Sequence, residues 1–111
     1  MHTFVYLLSP TRPEMVTEPT AEEAEAVGAH ARRLAAEAAR GAVIVAGRTA
    51  DRGADTVGIV VFRAPDAAAA RAFVDADPAV VAGVMTARLE PMSLPFGSPV
   101  ALEQVLSPRE W

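Results

Sequence analysis

His30 is the residue of this chain best suited to moving a proton. The sequence holds one other histidine, His2 beside the N-terminus, and one tyrosine, with no cysteine and no lysine. An imidazole titrates near neutral pH and becomes an efficient general acid or base when a carboxylate fixes its tautomer. Asp77 is the matching carboxylate. It stands in Val74-Asp75-Ala76-Asp77-Pro78-Ala79-Val80-Val81-Ala82-Gly83-Val84, where an alanine-rich helical stretch meets an Asp-Pro step that disfavours helical geometry at the aspartate. Asp75 has no such backbone setting. Both residues also have an ordinary structural reading. His30 falls on the flank of its helix with Glu23 and Glu37, a boundary position where pairing with either glutamate contributes roughly a few tenths of a kcal/mol. Asp77 can simply cap the short apolar turn from Pro78 to Gly83. Spacing alone leaves these readings open.

Other side chains can contact a ligand. Gly47-Arg48-Thr49 ends a strand, from which the Arg48 guanidinium can meet an anion; an ion pair with Asp51 or Asp55 is its simpler use. Tyr6 and Ser9 on the first strand are the further candidates for substrate contact, and Arg12 leaves that strand at the same end of the sheet. His2 reads as a solvated strand residue. No metal is expected, because two histidines and scattered carboxylates lack ligand spacing. No organic cofactor is expected either, since neither a GxGxxG nor a P-loop occurs. Without cysteine there is no thiol nucleophile or disulfide framework, and without lysine no Schiff-base chemistry.

The elements that must position these residues follow from pattern. His2 to Ser9 is an aromatic and β-branched run stopped by Ser9-Pro10, hence a first strand. Thr11 to Pro19 reads as a loop. Thr20-Ala21-Glu22-Glu23 is a capping box that opens a helix, which runs to about Arg40 and is stopped by Gly41 at C′. Its apolar stripe is expected at Ala24, Val27, Ala31, Leu34, Ala35 and Ala38. Ala42 to Thr49 and Val57 to Arg63 are strands two and three around a polar turn, Asp51 to Asp55. Pro65-Asp66 opens a second helix, with the proline at N1, and this helix ends near Asp77. Met85 to Met92 is the fourth strand, with Met85, Ala87 and Leu89 on one face. Beyond Ser93 a short helix is expected at about Val100 to Leu106, and the chain closes on Trp111.

The order βαββαβ predicts an α+β, ferredoxin-like fold with a four-stranded antiparallel sheet covered by both helices on one face. An open second face would demand alternation of apolar and polar residues. Phe4-Val5-Tyr6-Leu7-Leu8 and Val43-Ile44-Val45-Ala46 are apolar on both sides, so the second face should be covered, most simply by a second copy packing sheet against sheet in a homodimer. Residues 1–92 are read as the domain and 93–111 as a C-terminal tail that packs on the domain or on the dimer partner. The formal charge of −4 excludes a nucleic-acid partner as the default, because phosphate binding needs a clustered positive field. The apolar opening run is too short for a membrane span or signal peptide, which points to a cytoplasmic protein.

Taken together, the opening strand, the helix with His30, Ala46-Gly47 closing strand two, Gly58-Ile59-Val60 in strand three and the Asp75-Ala76-Asp77-Pro78-Ala79-Val80-Val81-Ala82-Gly83-Val84 segment resemble the YCII-related family of small bacterial proteins. The resemblance spans about residues 2–92 and rests most on the Asp-Pro…Ala-Gly segment. It implies a dimeric α/β-barrel arrangement of ferredoxin-like domains with a histidine and an aspartate facing each other in an active-site pocket, here His30 and Asp77. Relatives include enzymes similar to muconolactone isomerase that eliminate chloride from chlorinated lactones. Arg48 departs from the family, in which a proline is common after the glycine, so the pocket wall and its charge differ here. The expectation is a small enzyme that uses the His30–Asp77 pair for isomerisation or elimination on a small, anionic organic acid or a lactone. The competing class is a non-catalytic small-molecule-binding or protein-interaction module, and a third reading makes the pair a purely stabilising contact.

Overall fold

Strict alternation along the first strand builds the core. β1 (His2–Pro10) turns Phe4, Tyr6 and Leu8 to one side, where all three are buried, and sends Val5, Leu7 and Ser9 to the other. Both neighbours of β1 run antiparallel to it: β3 (Gly58–Ala64) on one side and β4 (Met85–Pro91) on the other. β2 (Val43–Arg48) pairs with the far side of β3, so the sheet order is β2-β3-β1-β4. With α1 (Ala21–Ala39) linking β1 to β2 and α2 (Ala67–Asp75) linking β3 to β4, this is the ferredoxin-like α+β fold. The structure, a computed structural model, describes residues 1–106; Trp111 and the end of the predicted tail lie outside them.

The register sets Phe62 opposite Phe4 and Val60 opposite Tyr6 on the inner face. Phe62 meets the edge of the Tyr6 ring at 5.6 Å and stacks on Phe73 of α2 at 4.7 Å. Each such buried side chain contributes about 1.5–3 kcal/mol, which holds the helices on this face. The outer face carries Val5, Leu7, Val45, Ile59 and Val61. It is apolar across β1, β2 and β3, as their unalternating runs predicted, while β4 adds Thr86, Arg88 and Glu90 opposite Ser9, Leu7 and Val5.

Thr20 caps α1 as expected: its hydroxyl accepts from the Glu23 N–H, and the Glu23 side chain accepts from the Thr20 N–H. Gly41, at φ 82°, takes the left-handed conformation at the C′ position. Three details correct the sequence reading. The buried stripe of α1 is Glu23, Ala26, His30 and Leu34, whereas Ala24, Ala35 and Ala38 are exposed. The helix is therefore rotated so that its chemically interesting flank faces inward. Small alanines are weak markers of a helix face, since each gains little from burial. Pro65 precedes α2 instead of occupying N1, because Asp66 is the N-cap and accepts from the Ala69 N–H at 2.8 Å. Finally, a 3-10 turn occupies Pro13–Val16 within the predicted loop, and its Met15 is buried.

The segment after α2 is more than a turn. α2 ends at Asp75, and a separate one-turn helix, α3 (Pro78–Val81), follows with Asp77 as its N-cap and Pro78 at N1. The tail forms α4 (Pro99–Val105), which has no buried residue and leaves Val100 and Val105 exposed. Among the described residues no helix is long and apolar enough to cross a membrane.

Candidate active site

Asp77 is where two structural demands meet. Its backbone is extended (φ −63°, ψ 125°), as a residue before proline prefers, and its Oδ1 accepts the Ala79 N–H at 2.9 Å. That cap bond fixes the carboxylate at the start of α3, which packs along α1. One turn of helix past Ala26, α1 presents His30 to it. The His30 Nδ1 lies 2.9 Å from Oδ1 and 2.7 Å from Oδ2, with both side chains fully buried. The two residues therefore meet, and the capping reading of Asp77 holds at the same time. The boundary position predicted for His30 does not hold, and its alternative partners are engaged elsewhere. Glu23 pairs with Arg12 and Glu37 with Arg40.

A third side chain completes the cluster. The Tyr6 hydroxyl donates to Asp77 Oδ2 at 2.6 Å. Burial would push the Asp77 carboxyl up, but hydrogen bonds from His30 and Tyr6, the charge of His30 and the Ala79 N–H outweigh it and hold the group below its ordinary value. An ionised carboxylate can only accept, so Nδ1 carries the proton and donates it towards Asp77. The tautomer is thereby set, and Nε2 becomes the ring nitrogen for any chemistry away from Asp77. The Tyr6 phenol moves the opposite way: burial, then its bond to Asp77 and that residue's negative charge, raise it far above the usual tyrosine range despite the opposing charge of Arg33. Arg33, one turn beyond His30, lies over the Phe73 ring at 4.1 Å.

His30 borders a cavity of about 520 Å³ between α1, the sheet and two loops. Arg48 lines it as well, on the inner side of β2 in register with Gly58. The Arg48 Nη1 donates to the Thr49 carbonyl at 3.1 Å, and among the described residues Arg48 makes no ion pair with Asp51 or Asp55. Arg52 is a lining residue that the sequence reading did not single out; its Nη2 donates to the Val16 carbonyl at 2.7 Å and so ties the two loops together. The other two predicted contacts lie elsewhere. Tyr6 is not on the cavity wall but behind Asp77, and Ser9 is exposed on the outer face of the sheet. Alternation from Phe4 could have signalled the role of Tyr6, because a tyrosine in an inward position must find a partner for its hydroxyl. Nothing in the loop around Arg52 carries a comparable signal.

Arg12, outside the cavity lining, ties the segment after β1 to the start of α1. It forms a two-pronged pair with Glu23 at 3.0 and 2.6 Å and donates to the Glu18 carbonyl at 2.9 Å. The Arg12 hydrogen bonds, followed by the Thr20 N–H, pull the Glu23 carboxyl down to about 2. Among the described residues no group of three or more histidine, cysteine or acidic side chains is placed to hold a metal ion.

The YCII-related domain model matches residues 3–90 of this chain. A search of curated proteins gives no match. Among solved structures, the chain is similar to the 5-chloro-2-hydroxyhydroquinone dehydrochlorinase of Burkholderia phenoliruptrix AC1100 in complex with 2,5-dihydroxybenzoquinone. The TM-score is 0.59 at 20% identity, over 81% of this chain and 93% of that one. At that identity the likeness is one of fold.

Proposed function

The chain belongs to the family of YCII-related domains, and on that premise we propose that it is a small enzyme whose His30–Asp77 pair transfers a proton during isomerisation of, or elimination from, a small organic acid or lactone. The observation that carries this reading is the buried His30–Asp77 contact at the edge of a cavity of about 520 Å³. With the ring neutral and Nδ1 donating to Asp77, Nε2 takes a proton from the substrate. The electron pair released forms a new double bond; in elimination it expels a leaving group as its anion, and in isomerisation it opens an adjacent double bond, whose displaced pair takes the proton back from Nε2 at another carbon. Asp77 offsets the positive charge that builds on the ring, at a site where low dielectric strengthens the attraction. Arg48 faces the anionic part of the ligand. A dehydrochlorinase on the same fold supports elimination as a chemistry this scaffold can host.

The His30 ring exposes no surface to bulk solvent, and this favours a second reading, a binding module in which the pair is structural. A screen of lactones and small organic acids against wild type and His30→Ala separates the two. Product formed by wild type and abolished in a His30→Ala protein of unchanged melting temperature supports the enzyme. Ligand-induced thermal shifts without product in either protein support the binding module. We further propose a homodimer through the outer sheet face with Val5, Leu7, Val45 and Ile59; a monomeric mass by light scattering at micromolar concentration would reject it.

A further inference from the structure

We infer that the cavity beside His30 selects a monocarboxylate carried on an apolar ring, and that Arg52 joins Arg48 in recognising the carboxylate. This rests on the site proposed above and decides between its two substrate classes, in favour of the acid over the neutral lactone. The first observation is the wall. Leu8, Met15, Val27, Ala31 and Met85 make its body apolar, and no aspartate or glutamate is among the described lining residues. Its charged side chains are Arg48 and Arg52. The second is how those arginines are engaged. Arg12, Arg32, Arg40 and Arg71 each have a carboxylate partner. Arg48 and Arg52 instead each donate to one backbone carbonyl, and among the described residues neither forms an ion pair. A guanidinium has five N–H donors in a planar fork, so most of the donor capacity of both remains for a ligand.

The consequences follow from electrostatics. The chain as a whole is negative, yet the described lining of this cavity carries two arginines and no carboxylate. Low-dielectric walls focus such a field onto whatever enters. A carboxylate accepts paired N–H bonds from a guanidinium, whereas a lactone carbonyl offers no charge to match. The volume of about 520 Å³ falls within the range of small-molecule sites and accommodates a single ring against the apolar wall. Arg52 has a second consequence. Because it also holds the Val16 carbonyl on the opposing loop, an anion drawn to it is held where the two loops join.

Calorimetric titration of the full chain with benzoate and with its neutral counterpart benzamide tests the inference without requiring turnover. Benzoate should bind at least roughly tenfold more tightly than benzamide, and less tightly as salt is raised from about 0.05 to 0.5 M. Arg48→Ala and Arg52→Ala should each weaken benzoate by roughly tenfold to a hundredfold and leave benzamide unchanged. Arg48→Gln and Arg52→Gln should behave alike, guarding against an effect of lost packing. Equal affinity for the two probes, binding of neither, or benzoate binding that both arginine variants retain would each overturn it. The same titration on His30→Ala separates this inference from the proton-transfer reading. Arginine-dependent benzoate binding there sustains the anion site even if wild type turns nothing over.

Discussion

Tyr6→Phe tests whether the tyrosine supports the aspartate or contacts a ligand. The substitution removes one oxygen and leaves the ring, which keeps its packing against Phe62 and Phe73 at 5.6 and 6.3 Å. What is lost is a 2.6 Å hydrogen bond to a fully buried carboxylate. Asp77 retains the Ala79 N–H and the His30 Nδ1, so the charge is not orphaned and the loss should match one hydrogen bond to a charged group, about 2 kcal/mol at pH 7. For a domain of this size that corresponds to a fall in melting temperature of roughly 8 °C, and in urea to a midpoint lower by about 1 M with the slope unchanged. Urea unfolding followed by far-UV circular dichroism reads both quantities. A cycle with Asp77→Asn should then show the two effects to be non-additive, as expected of groups in direct contact. A loss below about 0.5 kcal/mol would refute the reasoning. If ligand affinity fell while stability held, the tyrosine would return to the cavity wall as a substrate contact.

Three further outcomes follow. The Asp77 carboxyl is held below its unfolded value of about 3.9, so its stabilisation is complete above that value and disappears as pH falls through the folded pKa. The difference in urea midpoint between wild type and Asp77→Asn should therefore be widest above about pH 5 and shrink towards pH 2; a gap independent of pH would contradict this. In Arg12→Ala, the Glu23 carboxyl, which titrates at about 2 in the native protein, should move up towards the ordinary value of about 4.3 when followed by carbon NMR, and an unmoved titration would show that Arg12 is not its cause. Gly58→Ala would set a methyl 3.2 Å from Leu8 Cβ and 3.3 Å from its Cδ1. Because Leu8 is buried in the core, a loss of about 1–3 kcal/mol is expected in thermal melts, and an unchanged melt would mean that β1 and β3 have room to separate.

The architecture was legible because its signals are local. The Thr20–Glu23 capping box, Gly41 and the apolar first-strand run from Phe4 to Leu8 each depend on a few neighbouring residues, and each holds in the structure. The orientation of α1 was not legible. Its apolar side chains are mostly alanines, which bury little area, while the true inward stripe contains Glu23 and His30. Hydrophobicity gives such residues no inward direction; their burial is permitted by Arg12 and by Asp77, which are distant in sequence. The role of Arg52 was hidden for the same reason. Its position on the cavity wall depends on the path of the loop and on a carbonyl 36 residues upstream.

Capping a turn and partnering His30 began as competing readings of Asp77, and the geometry holds both contacts at once. A cap needs one carboxylate oxygen on an N–H of the first helical turn, here Ala79. The oxygens still accept Tyr6 and face His30. Capping therefore makes the aspartate a rigid partner: α3 cannot start elsewhere without moving it, and Pro78 keeps its backbone extended. A carboxylate on a flexible loop would have to be ordered each time it oriented an imidazole. Placed at a helix start, it is ordered by the fold itself. Substitutions at Asp77 should therefore disturb stability together with the proton transfer proposed for the pair. Position 77 thus cannot separate the two roles, and the separation must be made at His30, Tyr6 and the arginines around it.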